Sequence, residues 1–137
     1  MIVKIAEEKR KVESPGDMAK IMQAVLKSEH ENDQMKEHFW AIGLNTRNVI
    51  EYVELVSLGI LNASLVHPRE VFRLAVMKRI DTLIIVHNHP SGNCEASEAD
   101  LLITEKLRKA GKILSIEVID HIIISEKSFM SFKEKHL

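Results

Sequence analysis

The chain has 137 residues, a length that favours one domain built around one core. Apolar residues make up 45% and charged residues 28% of the sequence, close to ordinary globular usage, and this composition excludes wholesale disorder. The 19 Lys and Arg and 20 Asp and Glu give a formal net charge of -1, which excludes a global basic field that would attract nucleic acid.

The first half of the chain predicts a helix followed by two strands. Residues 1–13 form a short, charged segment that we expect at the periphery, so the domain proper is predicted over residues 14–137. Ser14, Pro15 and Asp17 are typical of a helix start, and apolar residues follow at helical spacing from Met18 to Leu26. The segments HFWAIGL (38–44) and VIEYVELVSLG (49–59), joined by a polar turn, predict two antiparallel strands.

The second half of the chain alternates helices and strands. Pro68 opens a helix whose predicted inner face comprises Val71, Phe72, Ala75, Val76 and Ile80. The run TLIIV (82–86) is typical of a strand buried on both faces. A third helix is predicted from Ser97 to Gly111, and a last strand over 113–125 leads to a short element containing Phe129 and Phe132. This order predicts an α/β fold, a mixed sheet with helices on both faces.

Two histidines and an aspartate carry the clearest chemical signal. His87 and His89 lie two residues apart at a predicted strand end, so their side chains point to one face and can converge on one metal. Asp100, in the first turn of the next helix, is placed to supply a third ligand, because a strand end and the following helix start often border one crevice. Two imidazoles and one carboxylate are a typical catalytic zinc set, with a fourth position left for water. We therefore predict one zinc ion held by these three residues.

Ser97 and Asp100 also have a purely structural interpretation. Ser97-x-x-Asp100 matches a capping box, in which each side chain binds the other residue's backbone amide. The cap explains both residues without a metal but leaves the paired histidines unexplained. The two interpretations are compatible, because a cap fixes the helix start that presents Asp100.

The spacing of these residues resembles a known family. His87-Asn88-His89, seven further residues, Ser97, two residues and Asp100 match the JAMM signature H-x-H-x(7)-S-x(2)-D at every position. The stretch HNHPSG (87–92), with LNASLVHPREVF (61–72) before it and DHIII (120–124) after it, resembles the RadC family in particular. The resemblance covers roughly residues 15–137 and implies a three-layer, deaminase-like α/β/α domain of the JAMM/MPN type with a mononuclear zinc.

The resemblance also implies catalytic roles. In related proteins a glutamate just before the first strand of the sheet activates the zinc water, and Glu37 occupies that place, with Glu51, Glu54 and Glu70 as alternatives. Ser97 would stabilise the oxyanion through its hydroxyl group. The implied activity is a zinc metallopeptidase or isopeptidase that hydrolyses an amide bond in a peptide or isopeptide substrate.

Two other functions stay open at this point. A non-catalytic interaction module would use the metal only structurally, whereas a DNA repair accessory factor would agree with the family but not with the charge balance. Basic residues cluster at 9–11 and 106–112, and we interpret them as solvated surfaces. Many full-length RadC proteins carry a helix-hairpin-helix region that these residues do not include, which weakens the DNA interpretation further.

The remaining histidines and the cysteine are predicted to stay outside the metal site. His67 and His121 are expected to be ordinary loop or strand residues, and Cys94 a bystander in the metal loop. A single cysteine excludes an intramolecular disulfide and fits a reducing compartment. No apolar run approaches the ~20 residues of a membrane span, and the charged N-terminus is unlike a signal peptide. We therefore expect a cytoplasmic protein with no membrane contact.

Overall fold

The computed structural model describes residues 1–5 and 10–137. Its described helices are α1 (Pro15–Lys27), α2 (Glu31–Gln34), α3 (Pro68–Val71), α4 (Arg73–Met77) and α5 (Glu98–Leu114). Its described strands are β1 (Ile2–Val3), β2 (His38–Leu44), β3 (Ile50–Leu58), β4 (Thr82–Asn88), β5 (Glu117–Ile124) and β6 (Phe129–Ser131). The strands form one mixed sheet in the order β1-β3-β2-β4-β5-β6, in which β4 and β5 are parallel and every other neighbouring pair is antiparallel.

Helices cover both faces of the sheet, as the sequence predicts. On one face, α1 packs Met18 and Met22 against Trp40 and Ile122 of the sheet. On the other face, side chains of α3, α4 and α5 pack against β2, β4 and β5. The result is the predicted three-layer α/β/α architecture. None of the described helices is long and apolar enough to cross a bilayer.

The start of α1 follows the predicted capping chemistry. Ser14 Oγ accepts a hydrogen bond from the Asp17 amide at 3.2 Å, and Asp17 Oδ2 accepts one from the Ser14 amide at 3.2 Å. Pro15 occupies the first turn, where its missing N–H costs no helical hydrogen bond.

The segment after Pro68 differs from the single predicted helix. It forms two short helices that meet at Phe72, whose ψ of -4° lies outside the regular helical range. Val71, Phe72 and Ala75 are buried as predicted, but Val76 is 57% exposed and Leu74 is buried instead. The break rotates α4, so the 3.6-residue pattern does not continue across it.

The predicted end of α5 at Gly111 is wrong, because the helix continues to Leu114. Ser115 ends it in the left-handed conformation, with φ of 59°. Gly111 is instead required by packing, since a Cβ there would lie 2.3 Å from the carbonyl oxygen of Ile116. The predicted strand over 113–125 is correspondingly shorter and begins at Glu117.

The two ends of the chain add edge strands that the sequence analysis did not assign. Ile2 and Val3 pair with Glu54 and Val53 of β3. Phe129–Ser131 pairs with the end of β5, so the predicted C-terminal element is a strand. Lys9 of the predicted basic cluster lies outside the described residues, and the predicted boundary between 1–13 and 14–137 stays a prediction.

Strand β2 lies at the centre of the sheet, next to β4. Its ladder with β4 runs from Leu44–Thr82 to Phe39–His87. Its ladder with β3 has an irregularity between Phe39 and Trp40, of the kind that re-aims side chains beside functional sites. The start of β2 and the end of β4 therefore lie side by side, and this edge carries the candidate site.

Candidate metal centre

His87, His89 and Asp100 converge where β4 ends and α5 begins. Each offers one ligand atom, and these atoms all lie within 4.8 Å of one another. His87 Nδ1 is 3.1 Å from Asp100 Oδ1, and His89 Nε2 is 3.0 Å from Asp100 Oδ2. The two imidazole rings meet edge to face with centroids 4.8 Å apart. The predicted trio is thus assembled by the fold, and it forms a group able to hold a metal ion.

Several polar atoms of this group are buried without a hydrogen-bond partner. Both ring nitrogens of His87 and Asp100 Oδ1 are in this condition, since the 3.1 Å contact between the two residues is not aligned as a hydrogen bond. Both residues are only 1% exposed. Buried polar groups are normally paired, so unpaired nitrogen and oxygen atoms that face one another fit a bound cation.

The ring of His89 is oriented by the loop that follows it. Its Nδ1 donates to the carbonyl oxygen of Asn93 at 2.8 Å, which leaves Nε2 to face Asp100. Metal-binding histidines commonly have this arrangement, because the bond at one nitrogen fixes the tautomer and aims the other. The hydrogen bond to Asp100 raises the pKa of His89 against the opposing effect of burial.

Asp100 is held by the predicted capping box at the start of α5. Its Oδ2 accepts the Ser97 amide at 2.8 Å, while its own amide donates to Ser97 Oγ at 3.1 Å. Burial would raise the pKa of Asp100, but the nearby imidazoles of His87 and His89 and the Ser97 amide outweigh burial and hold that pKa well below its usual range. The carboxylate is therefore ionised and positioned before any metal arrives.

Glu37 and Ser97 line the same cavity as the three candidate ligands. This cavity has a volume of about 390 Å³. Glu37 Oε2 accepts the Leu61 amide at 2.7 Å, and Glu37 Oε1 lies 3.9 Å from His87 Nε2. One carboxylate oxygen is thus anchored to the loop after β3, and the other faces the histidine.

The three alternative glutamates lie elsewhere. Glu51 accepts a hydrogen bond from Asn45 at the far end of the hairpin. Glu54 is buried and pairs with Arg73 at 3.0 Å. Glu70 is exposed in the first turn of α3. Of the four candidates, Glu37 is the one that lines the cavity with the histidines.

Comparison with known proteins agrees with this geometry. The model of the RadC-like JAB domain family matches residues 12–137. The chain belongs to this family. Relatives named UPF0758 protein are 44% identical over 131 residues in Methanosarcina mazei, with 96% of this chain and 55% of the relative covered, and 40% identical over 128 residues in Chlorobium chlorochromatii, with 93% and 55% covered. The chain therefore spans about half the length of these curated relatives.

Behind the candidate centre, this RadC-like domain buries a polar group that the sequence analysis treated as ordinary. His121 is fully buried, and its Nδ1 lies 2.6 Å from Thr104 Oγ1. Thr104 Oγ1 donates to the carbonyl oxygen of Asp100 at 2.7 Å, so the Nδ1 of His121 carries a proton and donates. The expectation that His121 is not a ligand agrees with this arrangement. The signal for its role was a polar residue inside the apolar run of β5.

His67 and Cys94 are not part of the assembled trio. His67 precedes α3 without making a side-chain cap, and Cys94 Sγ lies 3.4 Å from Ser128 Oγ. Among the described residues, neither belongs to the group of candidate ligands.

Proposed function

We propose that this RadC-like domain is a zinc-dependent hydrolase that cleaves amide bonds, as a metallopeptidase or isopeptidase. The observation that carries the proposal is the convergence of His87, His89 and Asp100 on a cavity that Glu37 and Ser97 also line. This arrangement combines a three-ligand group with a carboxylate and a hydroxyl that face the same space. A closed structural site would instead use four protein ligands.

The donor set favours one zinc ion over harder cations. Two imidazole nitrogens and one carboxylate suit zinc, whereas magnesium and calcium prefer oxygen ligands throughout. His87, His89 and Asp100 would hold the ion. When bound, zinc lowers the pKa of a coordinated water to about 7 and polarises a carbonyl group.

Glu37 is the proposed general base. Its Oε2 is fixed by the Leu61 amide at 2.7 Å, so Oε1 is the oxygen free to accept a proton from the attacking water. The same oxygen then returns this proton to the leaving amine as the amide bond breaks. A single anchored carboxylate can serve both steps, because the oxygen that has accepted the proton can donate it later in the same reaction.

Ser97 is the proposed oxyanion donor. Its Oγ already accepts the Asp100 amide at 3.1 Å, which leaves the hydroxyl proton available. Donation of this proton in a hydrogen bond to the tetrahedral oxyanion would stabilise the charge that develops on the substrate oxygen. Ser97 would thus cap α5 and assist the reaction with different parts of one hydroxyl group.

The first experiment measures metal content and hydrolysis together. Purified protein should contain about one zinc per chain, and His89→Ala should lose it. Glu37→Gln should keep the zinc but hydrolyse a peptide library, read by mass spectrometry, about 10²- to 10⁴-fold more slowly. Cys94→Ser is the matched control and should change neither quantity.

Two results would contradict the proposal in different ways. Wild-type protein without zinc after purification in zinc-supplemented medium would remove the basis of the mechanism. Full hydrolysis by Glu37→Gln would exclude Glu37 as the base and leave the metal site standing.

The DNA accessory role is the less favoured alternative. Lys106 donates to the carbonyl oxygens of Ala63 and Val66, and Lys109 pairs with Glu105 at 2.9 Å. The carbonyl oxygens hold the Lys106 ammonium group against the chain, and the Glu105 carboxylate offsets the charge of Lys109, so both lysines are less available to a phosphate backbone. Salt-dependent binding to duplex or single-stranded DNA at low ionic strength would favour this role, and its absence would exclude it.

The cellular location and the substrate class are further parts of this proposal. A cytoplasmic location is supported by the single cysteine, which suits a reducing compartment. A peptide or isopeptide substrate is supported by the open cavity beside Glu37. A non-catalytic interaction module would require zinc binding without any hydrolysis of the library, which the same experiment detects.

A further inference from the structure

The residue between the two histidines, Asn88, makes contacts that the metal site does not explain. Alternation along β4 places its side chain on the face opposite His87 and His89. It is nevertheless only 1% exposed, and both polar atoms of its carboxamide are hydrogen-bonded. Its Oδ1 accepts the His38 amide at 2.5 Å, and its Nδ2 donates to the carbonyl oxygen of Lys36 at 3.0 Å.

These two hydrogen bonds bracket Glu37. The backbone ladder between β2 and β4 stops at the Phe39–His87 pair, so no further strand pairing holds the residues before Phe39 against β4. The Asn88 side chain takes over at this point, because its donor and acceptor bind the residues on either side of Glu37. A carboxamide is suited to this task, since it presents one donor and one acceptor side by side, as a strand backbone does.

Other contacts close around the same three residues. The Gly59 amide donates to the Glu37 carbonyl oxygen at 2.8 Å. His38 Nδ1 lies 2.8 Å from the Lys36 carbonyl oxygen, and its Nε2 lies 2.6 Å from Glu29 Oε2. These contacts link residues 37–38 to the segments that follow α1 and β3, whereas the Asn88 side chain links them to β4.

We propose that Asn88 is a positioning residue, which binds residues 36–38 to β4 and so fixes the Glu37 carboxylate relative to His87. This inference rests on the proposed function for the task of Glu37, but its geometry is independent of any metal. Through this one side chain, Asn88 would keep the distance between Glu37 and the histidines at the end of β4 constant when either segment moves.

The experiment follows the amide of Leu61, because this group donates to Glu37 Oε2 and reports the position of the carboxylate. Hydrogen exchange and ¹H–¹⁵N shifts are recorded for metal-free and zinc-loaded protein. Asn88→Ala should speed exchange of the Leu61 and Gly59 amides about tenfold or more, as local opening becomes easier. Its Leu61 shift should move towards that of Glu37→Gln, while zinc affinity should fall far less than in His89→Ala, because the Asn88 side chain binds His38 and Lys36 and none of the candidate ligands.

Two further variants keep the result interpretable. Asn88→Asp is nearly isosteric and keeps the acceptor for the His38 amide but places an oxygen against the Lys36 carbonyl, so it should show the same changes without leaving a cavity. Asn45→Ala is the matched control, because Asn45 also binds backbone amides, those of Arg47 and Val49, but beyond the opposite end of β2. It should leave the Leu61 and Gly59 amides unchanged.

The proposal is overturned by either of two outcomes. If the Leu61 amide of both Asn88 variants exchanges within twofold of the wild-type rate, Asn88 does not position Glu37. If their zinc affinity falls as far as that of His89→Ala, Asn88 supports the ligands rather than the base. A chain that binds no zinc would refute the proposed function, yet the metal-free amide measurements would still decide the role of Asn88.

Discussion

Lowering the pH should destabilise this domain through His121. Burial, and secondarily the charge of nearby His87, lowers the pKa of His121 from 6.5 to about 3. In the folded protein the ring therefore stays neutral at pH 5, whereas in the unfolded chain it takes up a proton. Protons then favour the unfolded state, so this part of the stability is present above pH 6.5 and is lost as the pH falls towards 3.

The size of the effect follows from the two pKa values. Between pH 7 and pH 5, the His121 ring takes up a proton in the unfolded chain but not in the folded chain. The difference in bound protons, integrated over this pH range, is about 1.4, which lowers the unfolding free energy by about 2 kcal/mol. Groups such as His89, whose pKa is raised, act in the opposite direction. A comparison with a variant that lacks only the His121 titration therefore isolates its contribution.

The assay is urea denaturation in the presence of a chelator at several pH values. His121→Asn retains a donor for Thr104 but does not titrate, so its loss of stability between pH 7 and pH 5 should be about 2 kcal/mol smaller than that of the wild type. Thr104→Val should be destabilised by a similar amount at every pH, because it removes a hydrogen bond and keeps the buried imidazole. Equal pH dependence in the wild type and His121→Asn would refute the reasoning.

Two further outcomes follow from packing and from competition with protons. Gly111→Ala should lower the unfolding free energy by about 1–3 kcal/mol, because its Cβ would lie 2.3 Å from the Ile116 carbonyl oxygen. Gly16→Ala is the control: its Cβ would meet no atom closer than 3.6 Å, so this variant should raise the unfolding free energy by up to about 1 kcal/mol. Zinc affinity, measured by competition with a chelator, should fall about tenfold or more from pH 7 to pH 5.5, because the hydrogen bond to Asp100 raises the pKa of His89 and protons compete for the ligand.

Local chemistry made much of the fold predictable. The capping boxes at Ser14 and Ser97 and the apolar runs of β2 and β4 each identify an element within a few residues. The predictions were wrong at positions where tertiary packing, and not local sequence, determines where a helix ends or breaks. Gly111 resembles a helix end in sequence, but its small size is required by the approach of the chain at Ile116. The break at the buried residue Phe72 likewise gave no signal in the 3.6-residue apolar pattern.

In the candidate site, too, features set by local sequence were predictable and features set by tertiary contacts were not. The trio was predictable because i, i+2 spacing on a strand and a capped helix start are local rules. The anchoring of Glu37 was not, because the Leu61 amide lies 24 residues away and the Asn88 side chain about 50. Asn88 did carry a signal, since a carboxamide on the buried face of a strand must find partners. Which partners it finds depends on the pairing of β2 with β4.

The structural and chemical interpretations of Asp100 use different atoms of its carboxylate. Oδ2 accepts the Ser97 amide and so caps α5. Oδ1 has no hydrogen-bond partner and faces His87 Nδ1 at 3.1 Å. Because a capping bond fixes both the position and the rotation of a carboxylate, the cap determines where the second oxygen points. The helix cap therefore aims the free oxygen at His87, and the same geometry that begins α5 positions Asp100 as a candidate metal ligand.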